Sequence, residues 1–196
     1  MKTEIEAKFV KVVHDDIRQR LTDIGAKCDV PMRNMKRAAI NSAEMRAKKG
    51  FVRVRDQGDK ITITYKQIDT LSLTGAKEIE LEINDFDNAV AIFKAVGLSD
   101  CSLQESRRET WTIGDVEVAL DEWPWLDPYI EIEGLDEAEV KAAASKLGLS
   151  WEDAVFGDVM TAYRIQYPHL RDNQLLSDIP EVKFNGPLPD MFKIIN

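Results

Sequence analysis

Ionic side chains occupy every second position of several short segments in this chain of 196 residues. Near the start, Glu4, Glu6 and Lys8 alternate with apolar residues. Successive side chains of a β-strand point to opposite faces, so this segment predicts a strand with one ionic and one apolar face. The later ionic rows are Arg53 and Arg55, then Thr62, Thr64 and Lys66, then Glu78, Glu80 and Glu82, then Glu117 and Asp121, and last Glu131 and Glu133.

Most of these rows are either acidic or basic. A single alternating strand is typical of a sheet with its polar face in water. Several rows of each sign instead favour a sheet closed into a barrel, in which carboxylates face arginines and lysines across a confined, wet interior. Such an interior suits a polyanion, because carboxylates bind divalent cations as hard oxygen ligands and basic side chains bind phosphate oxygens directly.

The first strand also carries a family resemblance. Its segment Glu4-Ile5-Glu6-Ala7-Lys8 resembles the ExExK signature of the CYTH domains, or triphosphate tunnel metalloenzymes. These include thiamine triphosphatases, inorganic triphosphatases and class IV adenylyl cyclases. The resemblance continues to about Tyr167, through Arg53-Val54-Arg55, Lys66, Glu78-Ile79-Glu80, Arg108, Asp121, Glu131 and Glu133. The order and spacing of these motifs make the match specific, whereas ExExK alone would be a weak signal.

The resemblance implies an α+β fold, a closed antiparallel eight-stranded β-barrel (a tunnel) with a charged lumen and helices packed on the outside. It also implies roles for the ionic residues. Mg²⁺ or Mn²⁺ would be held by Glu4, Glu6, Asp121, Glu131 and Glu133. The phosphates would be bound by Lys8, Arg53, Arg55, Lys66 and Arg108. Lys8, Glu78 and Glu80 are the candidate catalytic residues, the two glutamates orienting the basic groups or acting as a base.

The chemistry of the residues favours phosphoryl transfer. Neither His14 nor His169 accompanies a plausible nucleophile, so a histidine relay or a covalent mechanism is disfavoured. Phosphoryl transfer needs mainly charge neutralisation and positioning. We therefore expect a divalent-metal-dependent triphosphatase, acting on inorganic triphosphate or a small organic triphosphate. A class IV-type adenylyl cyclase that makes cyclic AMP from ATP is the alternative, and a non-catalytic polyphosphate- or nucleotide-binding protein is a further one.

Composition narrows the class of protein. A net charge of −9 and a pI near 4.9 disfavour general binding to nucleic acid or to an anionic membrane. No apolar run is long enough to span a bilayer and no signal-like segment precedes the first strand, so we expect a cytoplasmic protein. Cys28 and Cys101 form no motif and are expected to be reduced. A homodimer is possible, because some members of the family dimerise.

Helical segments follow three of the predicted strands, at residues 13–24, 86–96 and 137–147, and Asp85 and Asp136 are placed to cap the later two. Each helix would cover the apolar outside of the barrel. Residues 151–166 also have a helical pattern. The sequence thus predicts one CYTH-like tunnel domain at residues 1–167 and a proline-containing tail at residues 168–196.

Two features have alternative interpretations. Arg37 could reach the lumen, but the register of its strand is not fixed by the sequence, and a solvated surface position is favoured. Trp123 or Trp125 could stack on an aromatic group of the substrate, or they could plug one end of the barrel or pack on a helix. The structural role is favoured because large aromatic side chains mostly form cores.

Overall fold

The alternating segments form strands of one sheet, and the computed structural model describes residues 1–194 of the chain. The strands are β1 (Lys2–Thr3), β2 (Glu6–Val10), β3 (Lys27–Asn41), β4 (Gly50–Asp56), β5 (Ile61–Ile68), β6 (Ala76–Ile83), β7 (Asp100–Ile113), β8 (Val116–Trp123), β9 (Leu126–Glu133) and β10 (Glu181–Val182). The α-helices are α1 (His14–Asp23), α2 (Ala43–Ala47), α3 (Phe86–Ala95), α4 (Glu137–Lys146) and α5 (Val159–Gln166).

The sheet curls until its two ends meet at the N-terminal segment. Its main path runs β1-β6-β5-β4-β3-β7-β8-β9-β2, with antiparallel neighbours, and β10 adds in parallel to β7. In this path β1 pairs with β6, whereas β2 pairs with β9. Both end strands therefore belong to one short stretch of chain. The space that the curled sheet surrounds is called the tunnel below.

The predicted fold class is confirmed, with two differences in the strands. The main path contains the eight expected strands if β1 and β2 are counted as one interrupted strand. Across the interruption, Glu4 and Glu6 donate their backbone N–H groups to Ala76, at the start of β6, and to Leu73, in the loop before it, while the Ile5 carbonyl accepts a hydrogen bond from Gly134. The second difference is β10, which comes from the predicted tail.

Helices cover much of the apolar outer face of the sheet, as predicted, although Ile79 and Leu81 of β6 are 54% and 53% exposed. Outside β2, β8 and β9, α1 and α4 bury a core that includes Phe9, Leu21 and Ile130, each at most 2% exposed. Burying a side chain of this size stabilises a fold by about 1.5–3 kcal/mol. Outside β3 and β4, α3 packs a second core. The predicted capping residues are confirmed, since Asp85 and Asp136 accept hydrogen bonds from backbone N–H groups in the first turns of α3 and α4.

The helix predicted at residues 151–166 is shorter in the structure. Only α5 is α-helical there, and residues 151–153 form a 3₁₀ turn. Between them, Val155 exchanges two backbone hydrogen bonds with Lys8, each 2.8 Å long. Gly157 then adopts a φ of +115°, which glycine tolerates better than other residues. The segment is thus tied to β2 before α5 can begin.

The C-terminal segment, predicted as a proline-containing tail, closes one side of the fold. Its residues and those of α5 form an apolar cluster, called the end cap here, with the last residues of β8 and the first of β9. Its buried members are Trp123, Tyr129, Met160, Tyr163, Leu170, Leu176, Val182 and Phe192. The last two residues of the predicted tail lie outside the described part of the chain.

Candidate active site in the tunnel

The alternation of side chains along each strand determines which of them line the tunnel. In β2, Ala7 and Phe9 pack against the outer helices, so Glu6 and Lys8 face inward. In β4, Val52 and Val54 face α3, and Arg53 therefore faces the tunnel. By the same rule the tunnel face includes Arg55, Lys66, Glu78, Glu80, Asp121, Glu131 and Glu133.

The carboxylates of the tunnel are concentrated on one side, called the acidic wall, which comprises Glu4, Glu6, Asp121, Glu131 and Glu133. Lys8 lies within this wall and is fully paired, with its Nζ 2.9 Å from Glu6 Oε1 and 3.2 Å from Glu131 Oε1. Burial opposes the charge on Lys8, but these two carboxylates outweigh it and raise the lysine pKa. The predicted substrate-binding group Lys8 is therefore held as a cation inside the protein.

Arg108 on β7 is also paired with the acidic wall. Its Nε and one terminal nitrogen donate to the two oxygens of Asp121, at 2.8 and 2.5 Å, and the same terminal nitrogen contacts Glu131 Oε2 at 2.5 Å. A guanidinium held by two carboxylates in this forked geometry is strongly fixed. Asp121 is fully buried, and its oxygens are engaged by Arg108.

Three other carboxylates of the acidic wall, Glu4, Glu6 and Glu133, contact lysines rather than an arginine. Burial and the charges of Glu4 and Glu6 together raise the pKa of Glu133. Glu4 Oε2 lies 2.5 Å from Lys66 Nζ, and Glu6 Oε1 lies 3.7 Å from the same nitrogen. Glu117, which was not among the predicted site residues, lies opposite Glu133 in the β8–β9 ladder and adds further negative charge.

These oxygen donors suit a hard divalent cation, which would relieve the repulsion that raises the Glu133 pKa. Among residues 1–194, however, no three Asp, Glu, His or Cys side chains are already arranged to hold a metal ion. Glu4 and Glu6 are instead turned toward lysines. The five predicted metal ligands thus share one wall but do not form a single cluster.

Arginines dominate the opposite side, called the basic wall, which comprises Arg37, Arg53, Arg55 and Lys66 on β3, β4 and β5. Lys66 is paired with Glu4, but the carboxylate that contacts Arg53 and Arg55 is Glu80, whose Oε2 lies 3.7 Å from Arg53 and 3.9 Å from Arg55. That oxygen also accepts a 2.7 Å hydrogen bond from Thr64. Burial would raise the pKa of Glu80, but Thr64 and the two arginines outweigh it and lower the pKa.

The arginines of the basic wall retain unused hydrogen-bond donors. The Nε atoms of Arg53 and Arg55 are buried and have no acceptor in the described structure. Burial and the guanidinium groups of Arg53, Arg108 and Arg37 lower the pKa of Arg55 well below its usual value. Buried cations without acceptors are costly. The arginines of this wall therefore keep donors that no group in the described part of the chain satisfies.

Arg37 belongs to this wall, and its favoured assignment to the solvated surface was wrong. Ala38 and Ile40 pack under α3, which turns Arg37 inward, where it is only 8% exposed. The sequence gives no clear signal for this placement, because Ala39, between Ala38 and Ile40, is apolar as well. Glu78 is half-buried and lies opposite Lys66 in the β5–β6 ladder, which puts it beside the basic wall.

Trp123 and Trp125 form part of the end cap, as favoured from the sequence. Trp123 is 4% exposed, and the guanidinium carbon of Arg37 lies 4.2 Å from the centroid of its ring. Trp125 packs on Phe192 and donates its indole N–H to the Gly186 carbonyl. Neither indole is free to stack on a substrate without moving the cap.

A curled antiparallel sheet with carboxylates and basic groups on facing inner walls defines a class of anion-binding tunnel proteins. The model of the CYTH domain matches residues 2–155, and the chain belongs to that family. The family assignment from the sequence is thereby confirmed. Residues 159–194, which contain α5 and the rest of the C-terminal segment, lie beyond the matched range.

Two relatives are archaeal. A Methanocaldococcus jannaschii protein named "Putative adenylate cyclase MJ0240" is 32% identical over 84 residues, which cover 42% of this chain and 47% of that protein. The match thus spans about half of that relative. The structure of the PH1012 protein from Pyrococcus horikoshii is 25% identical, with a TM-score of 0.66 over 77% of this chain and 93% of that one.

A third structure shares the fold alone. A protein from Hippeastrum, described as having a dominant triphosphatase activity, is 14% identical, with a TM-score of 0.53 over 88% of this chain and 98% of that one. Within residues 1–194, none of the helices has both the length and the apolar character required to cross a bilayer.

Proposed function

We propose that this protein is a metal-dependent phosphohydrolase that cleaves a small triphosphate bound in the tunnel. The observation that carries the proposal is the basic wall, where buried Nε atoms of Arg53 and Arg55 have no acceptor while carboxylates stand on the opposite wall. A linear triphosphate supplies many acceptor oxygens and enough negative charge to neutralise these groups. Membership of the CYTH family agrees with this chemistry.

The basic residues would divide the binding of the phosphate chain between them. Arg53 and Arg55 would donate in pairs to phosphate oxygens, because a guanidinium matches the spacing of two such oxygens. Lys66 would act as a point charge once its contact with Glu4 is shared with the substrate. Glu80 holds Thr64 and lies near both arginines, so it would keep their side chains aligned before the substrate arrives.

Glu4, Glu6 and Glu133 are the residues that would hold Mg²⁺ or Mn²⁺, with Glu131 and Asp121 nearby. When bound, such an ion supplies charge neutralisation on the phosphate oxygens and lowers the pKa of a coordinated water. The protein's own contribution is to keep Glu131 ionised. Burial would raise its pKa, but Lys8 and Arg108 outweigh this and lower it well below the usual value. Glu78 and Glu80 remain candidates for the group that accepts a proton from the attacking water.

A class IV-type adenylyl cyclase is the second candidate, and the name of the Methanocaldococcus jannaschii relative favours it. A cyclase must also bind an adenine ring. Trp123 and Trp125 are occupied by Arg37 and by the end cap, respectively. This arrangement favours a substrate without an aromatic group, such as inorganic triphosphate, over ATP.

The test is to incubate the full chain with inorganic triphosphate or ATP, in the presence of Mg²⁺ or Mn²⁺, and to assay both phosphate and cyclic AMP. We expect phosphate from inorganic triphosphate. Cyclic AMP as the main product would reject the hydrolase in favour of the cyclase. Tight binding without turnover under either metal would favour a non-catalytic binding protein.

A variant pair tests the role of the acidic wall in this reaction. Glu4→Gln together with Glu6→Gln removes two charged metal donors while keeping their size, and turnover should be abolished. Glu44→Gln is the matched control, because Glu44 is exposed on α2, outside the tunnel. Unchanged turnover in the Glu4 and Glu6 variant would exclude these residues from metal binding.

A further inference from the structure

Arg37 is a buried cation without a counterion. One terminal nitrogen donates to Ser106 Oγ at 2.9 Å, while its Nε is buried and has no acceptor in the described structure. No carboxylate within residues 1–194 forms an ion pair with it. Burial and the guanidinium groups of Arg53 and Arg108 lower the pKa of Arg37 to about 9. Its charge is thus unfavourable among the protein's own groups, and an anion would relieve the cost.

The indole of Trp123 fixes the orientation of this guanidinium. The 4.2 Å stacking distance is typical of a cation–π contact. Trp123 is itself held by the end cap, in which Tyr163 donates its hydroxyl hydrogen to the Pro124 carbonyl at 2.6 Å. Arg37 therefore lies where the charged tunnel meets an apolar end. One face of its guanidinium is covered by the ring.

Arg37 is remote from Glu4, Glu6 and Glu133, the carboxylates that would hold the metal ion. Contacts lead from Glu6 to Lys8, from Lys8 to Glu131, and from Glu131 to Arg108. Arg108 is one of the charged groups that act on Arg37, together with Arg53 and Asp121. A phosphate beside Glu4 and Glu6 is thus not the phosphate that meets Arg37. A substrate that reaches both places must contain a chain of phosphates.

We propose that Arg37 binds the terminal phosphate at the capped end of the tunnel and so makes the site prefer triphosphate to diphosphate. Trp123 is the positioning residue for Arg37. The proposal rests on the proposed function and adds to it a residue that distinguishes substrates by their number of phosphates. The cap that supports Trp123 comes largely from residues beyond 155, outside the range matched by the family model.

The experiment measures, by calorimetry without divalent metal, the affinities of inorganic triphosphate and inorganic pyrophosphate for the wild type and for Arg37→Met. Loss of a charge-assisted donor should weaken triphosphate binding by roughly 10-fold or more, and pyrophosphate binding by less than about 2-fold. Equal losses for the two anions, or no loss, would overturn the proposal. The wild-type measurement separately tests the proposed function, which fails if neither anion binds.

Arg107→Met is the matched control for this comparison. The Arg107 guanidinium also stacks on an aromatic ring, 4.3 Å from the centroid of Phe184, but its side chain is 43% exposed and it pairs with Glu122 outside the tunnel. Its affinities for both anions should equal those of the wild type. Arg37→Lys is a second variant that keeps the charge. It should recover part of the triphosphate affinity, and failure to do so in a folded variant would contradict binding through charge.

The positioning role of Trp123 has its own readout. Trp123→Leu should raise KM for triphosphate with little change in kcat, because it loosens a binding group rather than a reacting one. Trp123→Phe keeps an aromatic face and should restore KM. If both variants lower kcat while KM stays constant, Trp123 does not act by orienting Arg37.

Discussion

The two walls of the tunnel differ in how completely their charges are paired. On the acidic wall, Lys8 and Arg108 each contact two carboxylates at 3.2 Å or less. On the basic wall, Arg53 and Arg55 share one carboxylate, Glu80, at 3.7 and 3.9 Å. The same kinds of residue thus form close ion pairs on the acidic wall, whereas on the basic wall they have only distant contacts and unused donors.

Because of this difference, substitutions on the two walls are expected to change different quantities, namely folding stability on one wall and ligand binding on the other. Removing one member of a buried ion pair leaves the other charge uncompensated, which is strongly destabilising. Removing a buried charge that has no partner relieves repulsion and desolvation instead. Variants on the acidic wall should therefore affect folding first, whereas variants on the basic wall should affect binding first.

The largest effect on folding is expected for Arg108→Met. It leaves Asp121 and Glu131 buried without their guanidinium partner, so the free energy of unfolding should fall by about 3–5 kcal/mol in urea denaturation. Arg107→Met, next to it but partly exposed, should change the value by less than about 1 kcal/mol. Adding Asp121→Asn to Arg108→Met should recover part of the loss. Equal stability of the two single variants would mean that the acidic wall is not held by its ion pairs.

Arg55→Met should have a smaller effect, and the effect should be on ligand binding rather than on folding stability. Triphosphate binding should weaken by roughly 1.5–3 kcal/mol, because a charge-assisted donor is lost. The temperature of unfolding should stay constant or rise, since Arg55 is repelled by its arginine neighbours. Calorimetry and thermal unfolding on the same sample check both parts. A clear drop in the unfolding temperature without a binding change would reverse the roles assigned to the two walls.

The smallest effect on folding stability is expected for the ion pair between Arg18 and Glu109. This pair lies outside the tunnel and is a reference for the variants on both walls. Glu109 contacts Arg18 of α1 at 3.0 Å and accepts a hydrogen bond from Trp111. Burial would raise its pKa, but Arg18 and Trp111 outweigh this and lower it. Glu109→Gln should cost about 1 kcal/mol near neutral pH, because Arg18 is partly exposed.

The sign of the pH dependence follows from the lowered pKa. The stabilisation by Glu109 is present above the unfolded value of about 4.3 and is lost as the pH falls through the lower folded value. The stability difference between the wild type and Glu109→Gln should therefore shrink on acidification, as measured by denaturation at several pH values. A difference that grows on acidification would contradict the assignment.

Alternation predicted most of the tunnel, because a period of two fixes the inner face of a strand once its outer face is known. Glu6, Lys8, Arg53 and Glu131 face inward as their rows required. The N-cap residues of α3 and α4 could also be predicted, since Asp85 and Asp136 directly precede the apolar stretches of their helices. Local patterns of this kind need no knowledge of distant contacts.

What the sequence did not predict depends on contacts between distant segments. The backbone of Val155 binds that of Lys8, and this tertiary contact shortened the helix expected at residues 151–166. Arg37 was misplaced because nothing local indicated that α3 would cover Ala38 and Ile40. The sequence also does not show which charges pair, so it could not distinguish Arg108, which contacts two carboxylates closely, from Arg55, which has only a 3.9 Å contact with Glu80.

The N-terminal segment has a consequence for how the molecule is assembled. Residues 2–3 pair with β6 and residues 6–10 pair with β9, so the first part of the chain completes the sheet last. During synthesis, Glu6 must wait for Glu133 to emerge from the ribosome. Pairings between residues so far apart in sequence form slowly and leave strand edges open to wrong partners. Ordering of this segment is therefore expected to be a late step in folding.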